Sequence, residues 1–155
     1  MGFLAESIMI FRKSLIEIAL KEYGIKDWPG KSHNPRILEY MKGGGFDFID
    51  DETSWCSIFL NWCCKEAGLK YSGKPTARSW LKIGIELLEK DVRCGDIVIF
   101  WRDSPESWKG HVGIFVANAG DLIYTLGGNQ NDMVCILPYS KIKVLGYRRL
   151  ITKYF

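Results

Sequence analysis

No complete disulfide framework can be built from this chain. It holds five cysteines among 155 residues, an odd number and far below the density of a small disulfide-held scaffold. A Cys-x-x-Cys pair is also missing, and the adjacent Cys63 and Cys64 would point about 100° apart on a helix, which argues against a tetrahedral zinc site. Charge of one sign is scarce: 21 basic against 18 acidic residues leave +3, too mild to demand nucleic acid as a partner. No apolar run approaches the roughly 20 residues of a membrane span. Met1 to Tyr23 lacks the features of a signal peptide, being interrupted by Glu6 and Glu17, so the chain is expected to be made without one. Histidine is scarce as well, at two residues, His33 and His111.

What remains is an ordinary globular composition, 47% hydrophobic and 25% charged, on a length of about one domain. Residues 1–155 are read as a single domain. Ile8, Phe11, Leu15, Ile18 and Leu20 recur at helical spacing and predict an opening helix over Ser7 to Tyr23. Asn34-Pro35 supplies an N-cap and a first-turn proline for a short helix through Met41. Asp50 to Ser54 concentrates capping residues before Trp55 to Gly68, which is apolar around most of its circumference and so reads as a central buried helix. Ser57, Asn61 and Lys65 are its narrow polar edge. Thr76 starts a short helix through Trp80 and Ile83, and the period then changes. Strands are predicted at Ile97 to Trp101, Val112 to Val116, Asp121 to Leu126, Met133 to Leu137 and Lys143 to Ile151. Helices first and closely spaced strands second predict an α+β fold with an antiparallel sheet. The basic residues from Lys141 to Lys153 alternate with Ile142, Val144 and Leu150, as on a solvated strand face.

An odd cysteine count leaves at least one thiol to explain. Cys56 stands in the first turn of the buried helix, where oriented N–H groups and the macrodipole favour thiolate. From position alone it is either a nucleophile or a small hydrophobe; Cys63, Cys64, Cys94 and Cys135 read as small hydrophobes. A nucleophilic thiol needs a base. His33 lies in a polar loop and reads as a bystander, whereas His111 opens a strand whose alternation puts Val112, Ile114 and Val116 on the core face and His111, Gly113 and Phe115 on the other. Asn129 or Gln130, in Gly127-Gly128-Asn129-Gln130-Asn131, then follows the next strand and offers an amide to fix the imidazole tautomer. A Gly- and Asn-rich β-turn explains the same residues.

Taken together, Ser54-Trp55-Cys56-Ser57-Ile58-Phe59-Leu60-Asn61-Trp62, Cys94-Gly95-Asp96-Ile97-Val98-Ile99-Phe100, Gly110-His111-Val112-Gly113-Ile114, Gly127-Gly128-Asn129-Gln130 and Leu145-Gly146-Tyr147-Arg148 resemble the CHAP and NlpC-type cysteine peptidases, papain-like cell-wall hydrolases of bacteria and phages. The likeness also takes in Asn34-Pro35-Arg36-Ile37 and Ala77-Arg78-Ser79-Trp80. It implies a papain-like fold in which the nucleophile's central helix packs on a C-terminal antiparallel sheet. Cys56 would be the nucleophile, His111 the base and then acid, and Asn129 the orienting residue, with Gln130 as its substitute. Many CHAP enzymes carry Glu-x-Asn at this last block, and Gly127 stands at the Glu position here.

The resemblance implies hydrolysis of a peptidoglycan stem-peptide amide, between D-glutamate and the diamino acid or between N-acetylmuramate and L-alanine, with no metal or cofactor. Trp55 and Trp108, with Trp101, are candidate substrate-binding aromatics, although core or loop packing explains them equally well. Peptidoglycan is the expected partner, joined by an immunity protein if the chain is a secreted effector. Action is expected at the cell wall or periplasm after delivery by a pore or a secretion system. Two rivals remain: a deamidase or transglutaminase-like toxin on the same fold, and a non-catalytic wall-binding or adaptor module.

Overall fold

The helical period of the N-terminal segment continues into three dimensions. The computed structural model describes residues 15–29, 33–46 and 54–153; residues 15–21 are helical (α1), followed by Gly24 at φ 89°. The earlier part of the expected Ser7 to Tyr23 helix, and Asp50 to Thr53 with their expected capping, lie outside the described residues. Helix α2, Pro35–Gly43, begins as its Asn-Pro pair predicts: the Asn34 side chain accepts from the Arg36 N–H at 2.9 Å. Helix α3, Cys56–Ala67, ends at Gly68, whose left-handed φ of 71° turns the chain so that the Leu69 N–H reaches the Cys64 carbonyl at 2.9 Å.

The polar edge of α3 is buried where it anchors a loop. Ser57 Oγ donates to the Lys74 carbonyl at 2.8 Å and accepts from Trp80 Nε1 at 2.8 Å. Asn61 Nδ2 donates to Lys74 O at 3.1 Å, and Asn61 Oδ1 accepts from the Gly73 N–H at 2.8 Å. Two buried side chains therefore satisfy the backbone of residues 73–74 and tie the 3-10 helix Ala77–Lys82 to α3.

Six strands form one antiparallel sheet in the order β1-β6-β2-β3-β4-β5: β1 Ile85–Leu87, β2 Ile97–Trp101, β3 Gly110–Ala119, β4 Leu122–Gln130, β5 Met133–Ser140 and β6 Val144–Arg149. The α+β reading holds, and β3, β4 and β5 run further than their apolar patterns do. Strand β1 carries no such pattern and was not anticipated. The helices pack on the sheet face that carries Ile97, Ile99, Val112, Ile114 and Leu126. The opposite face is buried too, around Val98, Phe100, Phe115, Ile123 and Tyr147. Cys63, Cys64 and Cys135 are core residues as expected, whereas Cys94 is exposed, because it sits in the turn before β2.

The arginines of β6 are not a solvated face. Arg149 Nε and Nη2 grip the buried Asp96 carboxylate at 2.9 and 2.8 Å, and Arg148 Nε and Nη2 donate to the Ile83 and Gly84 carbonyls at 2.7 and 2.9 Å. Arg149 thereby braces the start of β2, the strand that pairs with β3, and Arg148 braces the turn that leads into β1.

Candidate active site

Cys56 is the first residue of α3, and the N-cap before it, Trp55, makes no side-chain capping bond. The first-turn N–H groups are thus left to whatever negative charge lies near them. Ser54, the described member of the expected capping cluster, turns instead to the thiol: its hydroxyl donates to Cys56 Sγ at 3.2 Å. Cys56 is 1% exposed. Burial acts to raise its pKa, but the charge and hydrogen bond of His111, the Ser54 hydroxyl and the backbone N–H of Val112 outweigh it and bring the thiol down to about 7.

Strand β3 presents both His111 and that N–H. The β3–β4 register ends at Ile114↔Leu126, while β2 and β3 stay paired through Phe100↔His111 to Trp101↔Gly110. Beyond Ile114 the β4-side edge of β3 is open, and the first turn of α3 meets it there. His111 lies on the face its alternation predicts, 6% exposed, with its ring stacked on Tyr139 at 4.8 Å and on Phe100 at 6.3 Å. Burial works to lower the imidazole pKa, but the Cys56 charge and hydrogen bond and the Gln130 bond leave it raised. The charge of each group thus stabilises the charge of the other.

The amide facing His111 is Gln130, the substitute, rather than Asn129. Gln130 Oε1 lies 2.9 Å from His111 Nε2. The carboxamide orientation is fixed by its other end, because Gln130 Nε2 donates to the Thr125 and Cys135 carbonyls at 3.0 and 2.7 Å. Oε1 must then accept, Nε2 of His111 must carry a proton, and Nδ1 is the nitrogen left for the Cys56 thiol. Asn129 misses the ring because β4 bulges between Gly127 and Gln130 and puts Asn129 in a left-handed conformation, φ 56°. Its Nδ2 donates to Ser54 Oγ at 3.2 Å instead.

Three glycines make the room. A Cβ on Gly127 would lie 2.6 Å from Gln130 Oε1, so the carboxamide fills the space a Glu at this position would need. A Cβ on Gly113 would lie 2.4 Å from Thr125 Cγ2. On Gly128 it would lie 2.7 Å from Trp55 Cζ3 and 2.8 Å from Phe59 Cβ, so α3 docks directly on the bulge. Gly128→Ala is expected to push α3 off the sheet and to cost about 1–3 kcal/mol, read as a lower urea midpoint. An unchanged midpoint would show that this contact can give way.

Beside His111 lies a cleft of about 480 Å³, lined by Trp101, Arg102, Asn129, Asp132, Tyr139 and Lys143 among others. Of the candidate aromatics only Trp101 borders it, with Lys143 Nζ 5.1 Å from its ring centre. Trp55 is core, 3% exposed and packed on Tyr40 and Phe59, because α2 covers the start of α3. Trp108 is 71% exposed, between β2 and β3 and outside the cleft lining. His33 does not line the cleft either. Among the described residues no group of three or more His, Cys, Asp or Glu is placed to hold a metal, and no helix is long and apolar enough to cross a membrane.

No family model matches the chain and no curated protein does. Solved structures do. The P60 domain of an antigen from M. avium paratuberculosis superposes with a TM-score of 0.61 at 16% identity, covering 97% of this chain and 100% of that one. A protein from Staphylococcus aureus, described as similar to a lipoprotein of the NLP/P60 family, gives 0.55 at 19% identity, covering 92% of this chain and 42% of that one. RipD from Mycobacterium tuberculosis, described as a non-catalytic NlpC/p60 domain protein adapted to peptidoglycan binding, gives 0.52 at 18% identity, over 92% and 97%. The fold is the papain-like fold of NlpC/P60 domains.

Proposed function

We propose that this chain is a cysteine peptidase or amidase that cleaves an amide bond of the peptidoglycan stem peptide through a thioester on Cys56. The observation that carries this reading is the line Cys56, His111, Gln130: a thiol brought down to about 7, an imidazole bonded to it, and an amide whose orientation fixes the tautomer. A wall-binding module has no use for such a line, although the likeness to RipD keeps that rival in view. The cleft supports the substrate class. Arg102 and Lys143 offer cations to the stem peptide's carboxylates, and Asp132 offers an anion to a free amine.

In the first step the thiolate of Cys56 attacks the scissile carbonyl carbon. A C–S bond forms and the C=O π pair moves to oxygen, toward the backbone N–H of Cys56. Collapse re-forms the carbonyl and breaks the C–N bond, and the proton on His111 Nδ1 goes to the leaving amine. Neutral Nδ1 then takes a proton from water, whose oxygen attacks the thioester. Collapse releases the acid and restores thiolate and imidazolium. Gln130 holds the Nε2 proton throughout, so only Nδ1 trades protons.

Digestion of purified sacculi with wild type and Cys56→Ala, followed by mass spectrometry of the soluble fraction, tests the proposal. Wild type is expected to release fragments with one new amine terminus, and the variant none. Absence of release by wild type, or the same products from both proteins, would overturn it. Ammonia release from a protein glutamine without wall fragments would select the deamidase.

A further inference from the structure

The line through Gln130 accounts for the imidazole, but a second line of hydrogen bonds ends on the sulfur. Asn129 Nδ2 donates to Ser54 Oγ at 3.2 Å, and Ser54 Oγ donates to Cys56 Sγ at 3.2 Å. Residues 54 and 129 are distant in the chain and meet only because α3 docks on the β4 bulge. A hydroxyl has one proton. With Asn129 donating to its oxygen, the Ser54 proton is directed away from Asn129 and toward the sulfur. Asn129 is suited to this place because its left-handed backbone, φ 56°, is one asparagine tolerates. It also borders the cleft beside His111.

We propose that Ser54 is the donor that follows the negative charge from the Cys56 sulfur to the substrate's carbonyl oxygen, and that Asn129 is the positioning residue that aims it. The inference rests on the thioester chemistry proposed above. Before attack the charge is on sulfur, which accepts the Ser54 proton in a hydrogen bond. As the C–S bond forms, that sulfur lone pair becomes the bonding pair and the carbonyl π pair moves to oxygen. The sulfur then loses its strength as an acceptor while a stronger one appears one atom beyond it. The Ser54 hydroxyl turns to that oxygen without giving up its proton, and joins the Cys56 N–H as the second donor. No proton is transferred along this line, which separates it from the His111 line. The Asn129 bond persists in both states and limits the swing of the hydroxyl.

The test uses the full chain and three variants, Ser54→Ala, Ser54→Thr and Asn129→Gly; glycine keeps the left-handed backbone while removing the amide. Each is titrated by ultraviolet thiolate absorbance against the same protein carrying Cys56→Ala, and each is assayed for kcat and KM on solubilised wall fragments. Ser54→Ala is expected to raise the Cys56 pKa by about one unit, the size of a hydrogen bond to a charged group. It is expected to lower kcat by about 100-fold, as for loss of one oxyanion donor, with KM within about two-fold. Ser54→Thr restores both readouts, and Asn129→Gly falls between. An unchanged titration in Ser54→Ala overturns the inference whether or not fragments are released, and so does a Thr variant as impaired as the Ala variant. If wild type releases nothing while the Ser54→Ala titration moves as expected, the hydrolase reading falls and with it the transfer to oxygen, but the donation to sulfur stands.

Discussion

Cys56 in a His111→Ala variant is expected to be a thiol throughout the neutral range. The largest single influence on this sulfur is burial, which pushes its pKa up. What reverses the sign is first the charge of His111 and then its hydrogen bond, with Ser54 and Val112 adding less. Without the ring, burial is no longer outweighed, and the pKa is expected to move from about 7 past the ordinary value of 9.0. A thiolate is present only above its pKa, so at pH 7 the reactive fraction falls by about 50-fold or more. Alkylation of the Cys56 peptide by a small haloacetamide, followed by mass spectrometry against pH, separates it from the other four cysteines. Wild type is expected to react with a rate that climbs through about pH 7. The variant should climb only above pH 9, well into the alkaline range. Superimposable profiles would assign the low pKa to the helix terminus alone, and His111 would lose its place in the pair.

That division of labour also shows what was legible beforehand. Cys56 could be found because two sequence features coincide on it: a helix start and an apolar run that buries whatever stands there. His111 could be found because strand alternation is a strict period of two, and the structure keeps that period up to Ile114 and beyond it to Gly110. Gln130 resisted the same logic. A bulge inserts residues outside the alternation, and only the geometry of re-entry, Gln130↔Met133, decides which amide returns to the ring. One signal was present: Gly127, where the resemblance expects Glu, announces space that some other side chain must fill. Trp55 was read ambiguously for a related reason. Its neighbour in the chain is Cys56, but its neighbour in space is Tyr40 on α2, and sequence spacing carries no information on that packing. Strand β1 is three mostly exposed residues paired at the edge of the sheet, too short to show a period.

Gln130→Glu is the substitution that tests the orientation argument most directly, because it changes one group without changing shape. A glutamate oxygen can still accept from His111 Nε2. The other oxygen, however, must face the Thr125 and Cys135 carbonyls, which now receive donations at 3.0 and 2.7 Å. Two buried acceptors lose their donor and gain a repulsive neighbour, at an expected cost of about 2–4 kcal/mol at neutral pH. Protonation relieves part of this, since a carboxylic acid can donate to one of the two carbonyls. Burial and the two carbonyls therefore raise the folded-state pKa of the new residue above its unfolded value of about 4.3, against the opposing pull of the His111 imidazolium. For an acid shifted upward, the relief is present below the unfolded pKa and is lost as pH rises through the folded one. Urea unfolding is thus expected to show a deficit that is small near pH 4 and grows toward pH 7, relative to wild type at each pH. Turnover at neutral pH is expected to fall only as far as the fold around the ring is loosened, because a carboxylate on Nε2 still fixes the tautomer and stabilises the imidazolium. A deficit independent of pH would mean that the carboxamide is held by packing alone, and His111 would then have no assigned tautomer. Wild-type stability across the range would mean that the amide is turned the other way, with its NH2 toward the ring, and the proton-transfer scheme would need Nε2 rather than Nδ1 as the bare nitrogen.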